Sequence, residues 1–233
     1  MSAYVEQVEQ FQRHDLVWLS HQAWENMAAA LSSPWQSAVR DWQQQEWPAV
    51  VRRRDSDAAD DDVCIGLELP SQDGQRRRLA VRVQVEHIIE HQSGLALNTV
   101  LPLALPEWQN DLRALQQSAA AAGLRFRVFG ALSWQFLTGQ PYLQTLSPID
   151  LLFRPADPAQ LQQALQLLSR FQQQLPLDGE ILFPQGQAVS WRAWNLADAA
   201  GDAQQEQKVL VKNQMGARLC SQREMLALLT QSA

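Results

Sequence analysis

The chain has 233 residues, 46% of them hydrophobic and 19% charged, which is enough apolar material for a packed core and excludes a disordered polymer. A formal charge of −6 argues against general nucleic-acid binding. Two cysteines, Cys64 and Cys220, are too few for a disulfide framework or a four-thiolate zinc site.

The first dozen residues carry Glu6 and Glu9 where a leader would be basic and then apolar. No uncharged apolar run is long enough to span a bilayer, so the expectation is a cytoplasmic protein with no membrane partner. Residues 1–105 hold 9 cations and 15 anions, whereas residues 106–233 hold 10 of each. The chain therefore reads as two domains, 1–105 and 106–233. They join near Pro102–Pro106, where Leu-Pro-Leu-Ala-Leu-Pro cannot continue a helix.

In chain order, Ser20–Gln45 reads as one or two helices interrupted at Pro34, and Ala49–Arg53, Val63–Leu69 and Arg78–Val85 read as strands. Between the first two strands lies Asp55-Ser-Asp-Ala-Ala-Asp-Asp-Asp62, which repels itself and is expected to be a mobile loop. The second domain opens with a helix over Pro106–Ala122, stopped by Gly123, then a strand Arg125–Phe129 and a short helix Leu132–Leu137. A strand at Ile149–Phe153 precedes a helix capped by Asp157 and running to about Gln174. A hairpin follows, Glu180–Phe183 and Gln187–Trp194 around Pro184-Gln185-Gly186. Lys208–Lys212 reads as a last strand and Ser221–Leu229 as a closing helix. The fold class is α+β, with helices interleaved on a mixed sheet.

The chemistry concentrates in Val128-Phe-Gly-Ala-Leu-Ser-Trp134 and Ser147-Pro-Ile-Asp-Leu-Leu152. A strand ending in Gly130 and entering a helix leaves backbone N–H groups free to hold a phosphate, and glycine lets the backbone approach it closely. A carboxylate on the next strand, Asp150, can present Mg²⁺ to that phosphate. This is the minimal nucleotidyltransferase arrangement, although a tight turn wants glycine in any case. Trp134 is a candidate floor for the pocket, or a core residue like the other tryptophans. Lys212, at a strand end, is the candidate triphosphate contact.

Six segments then follow one another: Arg13-His-Asp-Leu-Val-Trp-Leu19, Arg127-Val-Phe-Gly-Ala-Leu-Ser-Trp-Gln135, Leu137-Thr-Gly-Gln-Pro-Tyr-Leu143, Leu177-Asp-Gly-Glu-Ile181, Val189-Ser-Trp-Arg192 and Val209-Leu-Val-Lys212. Their set and order resemble the phosphoribosyl-dephospho-CoA transferases of malonate decarboxylase, also called malonate decarboxylase holo-acyl-carrier-protein synthases, over almost the whole chain. The resemblance implies a nucleotidyltransferase-like second domain behind a smaller sheet-containing one. It also implies transfer of the prosthetic group from 2′-(5″-triphosphoribosyl)-3′-dephospho-CoA to a serine of the apo acyl carrier protein of malonate decarboxylase, with Mg²⁺ as cofactor and pyrophosphate as leaving group. Asp150 and Glu180 are then the expected catalytic and metal-binding carboxylates, and Gly130, Ala131, Trp134 and Lys212 the expected substrate contacts.

Two positions depart from the family pattern. Ala131 stands where the family has a serine, so a phosphate-binding hydroxyl is lost while the backbone N–H groups remain. Pro148 stands where the family has the first Asp of an Asp-x-Asp pair, and carboxylates at i and i+2 of a strand share a face. A catalytically impaired protein that binds carrier or nucleotide without turnover is therefore the alternative reading.

Other motifs compete. His87-Ile-Ile-Glu-His91 spells an inverted zinc-peptidase signature, yet it follows an alternating strand and is cut short by Gly94, which favours a chance match. His14 reads as a packing residue and Arg13 as a possible phosphate contact. The runs Arg52–Arg54 and Arg76–Arg78 read either as partners of the Asp55–Asp62 loop or as a dock for an acidic carrier.

Overall fold

The computed structural model describes residues 8, 10–72, 75–144, 146–199 and 207–230. The leader reading rests mostly on positions outside these, as does the Arg76 side chain. The chain divides into two compact units. One runs to Gly94 and includes Trp134–Tyr142; the other comprises Leu95–Ser133 and the chain from Leu143 onward.

The first unit is a five-stranded antiparallel sheet of β1 (Leu16–Leu19), β2 (Ala49–Val51), β3 (Asp62–Gln72), β4 (Gln75–Gln84) and β5 (Ile88–Gln92), in the order β4-β3-β2-β1-β5. Between β1 and β2 run two helices, α1 (His21–Ala30) and α2 (Ser33–Gln44). The Ser20 side chain accepts from Ala23 N to start α1, and Pro34 occupies the first turn of α2, where its missing N–H costs nothing. Leu79, Val83 and Val85 point into the core while Arg78, Arg82 and Gln84 face out, the period of two expected of a half-buried strand.

The Asp55–Asp62 loop is held rather than loose. Arg52 forks onto both oxygens of Asp55, Arg82 joins Asp55 to Asp57, and Arg54 donates to the carbonyls of Ala58, Ala59 and Asp62. Three guanidinium groups neutralise the self-repulsion that the run of Asp would otherwise generate. Arg52 and Arg82 also hold the Asp55 carboxyl well below the usual carboxylate range.

The second unit is a seven-stranded mixed sheet in the order β12-β11-β10-β9-β8-β7-β6. Its strands are β6 (Leu95–Ala96), β7 (Phe126–Phe129), β8 (Ile149–Phe153), β9 (Leu177–Leu182), β10 (Ala188–Ser190), β11 (Lys208–Lys212) and β12 (Ala217–Ser221). Among the described residues only β8 and β9 are parallel, joined by the crossover helix α6. The helices of this stretch are α3 (Leu97–Val100), α4 (Pro106–Ala121), α5 (Gly130–Thr138), α6 (Pro158–Phe171), α7 (Trp191–Ala199) and α8 (Gln222–Thr230); α5 ends among the residues counted with the first unit. Ser221 and Glu224 form a reciprocal cap on α8, each side chain accepting from the other's backbone N–H.

Several boundaries differ from the sequence reading. The units divide at Gly94 and not at residue 105, because Leu95 and Ala96 pair with β7 and Leu97, Val100 and Leu101 are buried. The second hairpin strand stops at Ser190, whose hydroxyl accepts from Ala193 N and starts α7. His87-Ile-Ile-Glu-His91 is no helix: Ile88–Gln92 is β5, paired with β1, and His87 Nδ1 lies 3.2 Å from Ser20 Oγ. Its histidines therefore lack the helical face a zinc site needs.

Candidate functional site

The β7–α5 junction brings the two halves of the phosphate-binding pattern into contact. Gly130 has φ +70, and a Cβ built on it would lie 2.0 Å from Asp150 Oδ2 and 2.9 Å from Asp150 Cγ. Phe129 and Asp150 are register partners across β7 and β8, so the antiparallel pairing delivers this carboxylate to the first turn of α5. Glycine is required twice here, for the left-handed backbone and for the space the carboxylate occupies. Ala131 follows, half-buried, in that first turn.

The next strand adds more carboxylates. Asp150 is the register partner of Asp178, and Leu152 that of Glu180, across the parallel β8–β9 pair. Register partners and residues two apart share a face, so Asp150, Asp178 and Glu180 project to the same side of the sheet. Gly179 lies between the last two at φ +137, and a Cβ there would fall 1.9 Å from the Leu151 carbonyl oxygen. The two strands can therefore meet in this register only with glycine at 179.

Each of the β9 carboxylates has a cation in reach. Glu180, 8% exposed, receives a hydrogen bond from Lys212 Nζ at 3.3 Å. Asp178 Oδ1 accepts from Gly179 N at 2.8 Å and lies 4.0 Å from Arg192 Nε, whose guanidinium also donates to the Leu177 carbonyl. Lys212, expected as a phosphate contact, is thus paired with Glu180. Asp178 had no role in the sequence reading, yet it is the residue directly beside Asp150. Its signal was the Asp178-Gly-Glu180 spacing, an i, i+2 acidic pair of the kind missing at 148 and 150.

Other expected residues lie elsewhere. Trp134 belongs to the first unit, its indole edge-on to Trp42 at 5.7 Å and tilted to Tyr142 at 6.5 Å, so it packs in an aromatic core. His14 adopts φ +72 and donates its backbone N–H to the Val51 carbonyl, joining the approach of β1 to β2. Arg13 lies against it, Nη2 3.3 Å from His14 Nε2.

Among the described residues no three His, Cys, Asp or Glu side chains gather to hold a metal ion. Asp150 and Glu180 therefore do not form an all-protein cage. Mg²⁺ needs none, because one or two carboxylates suffice when substrate phosphates and water complete its shell. Asp150 and Asp178, register partners on neighbouring strands beside Gly130, are the carboxylates that could contribute to such a shell.

A glycine-opened helix start with acidic strands beside it is an arrangement that could hold phosphate groups. The phosphoribosyl-dephospho-CoA transferase MdcG N-terminal domain matches residues 12–93 and the corresponding C-terminal domain matches residues 95–223, so the chain belongs to the phosphoribosyl-dephospho-CoA transferase family, a family of transferase enzymes. A phosphoribosyl-dephospho-CoA transferase of Xanthomonas campestris pv. campestris (strain 8004) is 40% identical over 209 residues, 89% of this chain and 92% of the relative. Proteins of the same name from Bradyrhizobium diazoefficiens and Azotobacter vinelandii are 31% identical over 183 residues and 32% identical over 216. They cover 77% and 89% of this chain, and 80% and 92% of their own lengths. No solved structure matches. No helix among the described residues is long and apolar enough to cross a membrane.

Proposed function

We propose that this chain transfers the phosphoribosyl-dephospho-CoA group from 2′-(5″-triphosphoribosyl)-3′-dephospho-CoA to a serine of the malonate decarboxylase acyl carrier protein. The serine oxygen attacks the α-phosphorus, a phosphodiester forms, the bond to the β-phosphate breaks, and pyrophosphate leaves with the serine proton released. The observation that carries the reading is the contact of the Asp150 carboxylate with the α-carbon of Gly130, which sets an acid against a phosphate-holding backbone.

The chain's own work is positioning and charge balance. The N–H groups at the start of α5 hold phosphate oxygens, with Ala131 contributing its backbone only. Asp150 and Asp178 are the residues that would hold Mg²⁺, which when bound offsets the charge of the triphosphate. Lys212 keeps Glu180 oriented from β11, and Arg192 does the same for the neighbouring Asp178. The nucleophile belongs to the partner protein, so no serine–histidine pair is needed here.

The decisive experiment mixes the protein, apo-carrier, Mg²⁺ and the triphosphoribosyl donor, and reads the carrier's intact mass. An increase equal to the prosthetic group is expected; an unchanged mass at high enzyme concentration refutes turnover. Pro148 at the position of a family carboxylate favours a second reading, a protein that binds donor or carrier without transfer. Donor binding by calorimetry with no mass change would establish it.

A further inference from the structure

We propose that the β11–β12 hairpin is the docking surface for the acceptor, and that the partner is an acidic protein presenting an apolar side chain among its carboxylates. The inference rests on the transfer reading above.

β12 is the last strand of the seven-stranded sheet. Val209, Val211 and Cys220 turn their side chains into the core, and the alternate positions face outward. Two of those are leucines: Leu210 and Leu219 are register partners, 47% and 65% exposed, and Met215 in the connecting turn is 78% exposed. A strand pair that spends its solvent face on large apolar side chains carries the mark of a surface that is covered in use.

Charge selects what covers it. Residues 207–230 contain Lys208, Lys212, Arg218 and Arg223 against the single acid Glu224, in a chain whose formal charge is −6. Lys208 is exposed two residues from Leu210 and shares the leucine face, whereas Arg218, the register partner of Val211, leaves β12 on the other side; Glu224 is occupied in capping α8. Four arginines of the first unit are committed internally by contrast. Arg52 and Arg82 hold Asp55, Arg78 pairs with Glu68, and Arg77 lies over Trp35. On the hairpin the exposed Lys208 shares the face of the exposed leucines.

Its position suits the reaction. Leu210 is two residues from Lys212, which reaches Glu180, so the leucine strip shares the face that carries Asp150 and Asp178. Three strand spacings separate β11 from β8, roughly 14 Å. A small domain seated on the hairpin can extend a serine over that distance, while the cations steer its approach.

The test compares wild type with Lys208→Glu and with Leu219→Asp, each checked for folding by circular dichroism. It measures apo-carrier affinity by calorimetry, and kcat with separate KM values for carrier and donor. Both variants are expected to weaken carrier binding by about tenfold or more while donor KM and kcat at saturation stay as in wild type. The penalty of the charge reversal should shrink as salt rises from 0.05 to about 1 M, where screening reaches ~3 Å, and that of Leu219→Asp should persist. Unchanged carrier affinity in both variants overturns the proposal, as does a wild-type dimer that Leu219→Asp splits into monomers. If wild type binds carrier through this face yet transfers nothing, the dock stands and the transfer reading falls.

Discussion

Replacing Gly130 by alanine tests the site at its tightest point. The new Cβ would lie 2.0 Å from Asp150 Oδ2, so the carboxylate must retreat by at least about 1 Å to reach even a tight contact. A left-handed φ of +70 adds strain of roughly 1–2 kcal/mol for any residue with a Cβ. Misplacing a positioned group by about 1 Å can cost on the order of 10²-fold in rate. Gly123→Ala is the control: its φ is +69, the same strain, and nothing lies within 4 Å of where its Cβ would stand. Both variants should lose similar stability in urea titrations, and only Gly130→Ala should lose carrier modification, by about 10²-fold in the mass assay. Equal activity of the two would show that the Asp150–Gly130 contact has no part in the chemistry.

Pro148→Asp restores a carboxylate two residues before Asp150 and should raise turnover by about ten- to a hundredfold in the same assay; no gain with the fold intact would mean that the proline is not what limits the site. Asp178→Asn should lower turnover by about ten- to a hundredfold and more than Glu180→Gln does, and the reverse ranking would refute the register argument. Asp55 has its folded pKa depressed by Arg52 and Arg82, so its contribution to stability is present above the unfolded value near 4 and is lost as pH falls below it. Urea midpoints of wild type and Asp55→Asn should accordingly differ at pH 7, with the gap beginning to narrow as pH falls below about 4, and a gap that widens on acidification would contradict the pairing.

Much of this architecture was readable from residue patterns. β8 was placed at both ends, because Ile149–Phe153 is an apolar run set off by Pro148 and Arg154, and Pro34 marked the break between α1 and α2. β1 and β5 escaped notice for opposite reasons. Leu16–Leu19 is short and runs straight into a capped helix, and Ile88–Gln92 spells a motif that belongs to helices. The Gly130–Asp150 pair was visible because one strand ending and the next beginning must meet. Asp178 was not, since its neighbourhood depends on the parallel register of β8 and β9, which no local pattern encodes. Trp134 illustrates the same limit: its place in the chain suggests the site, and its partner Trp42 lies 92 positions earlier.

That partnership has a consequence for how the chain is made. The two family models meet between residues 93 and 95, which invites cutting the gene there, but the N-terminal fragment would lack the indole that packs on Trp42 and the Tyr142 hydroxyl that donates to the Glu68 carbonyl. During synthesis the same gap is a delay. At typical elongation rates the segment that completes the first unit emerges roughly 2–10 s after Gly94, so the early sheet must wait, with part of its aromatic core uncovered, until the second unit is already under way.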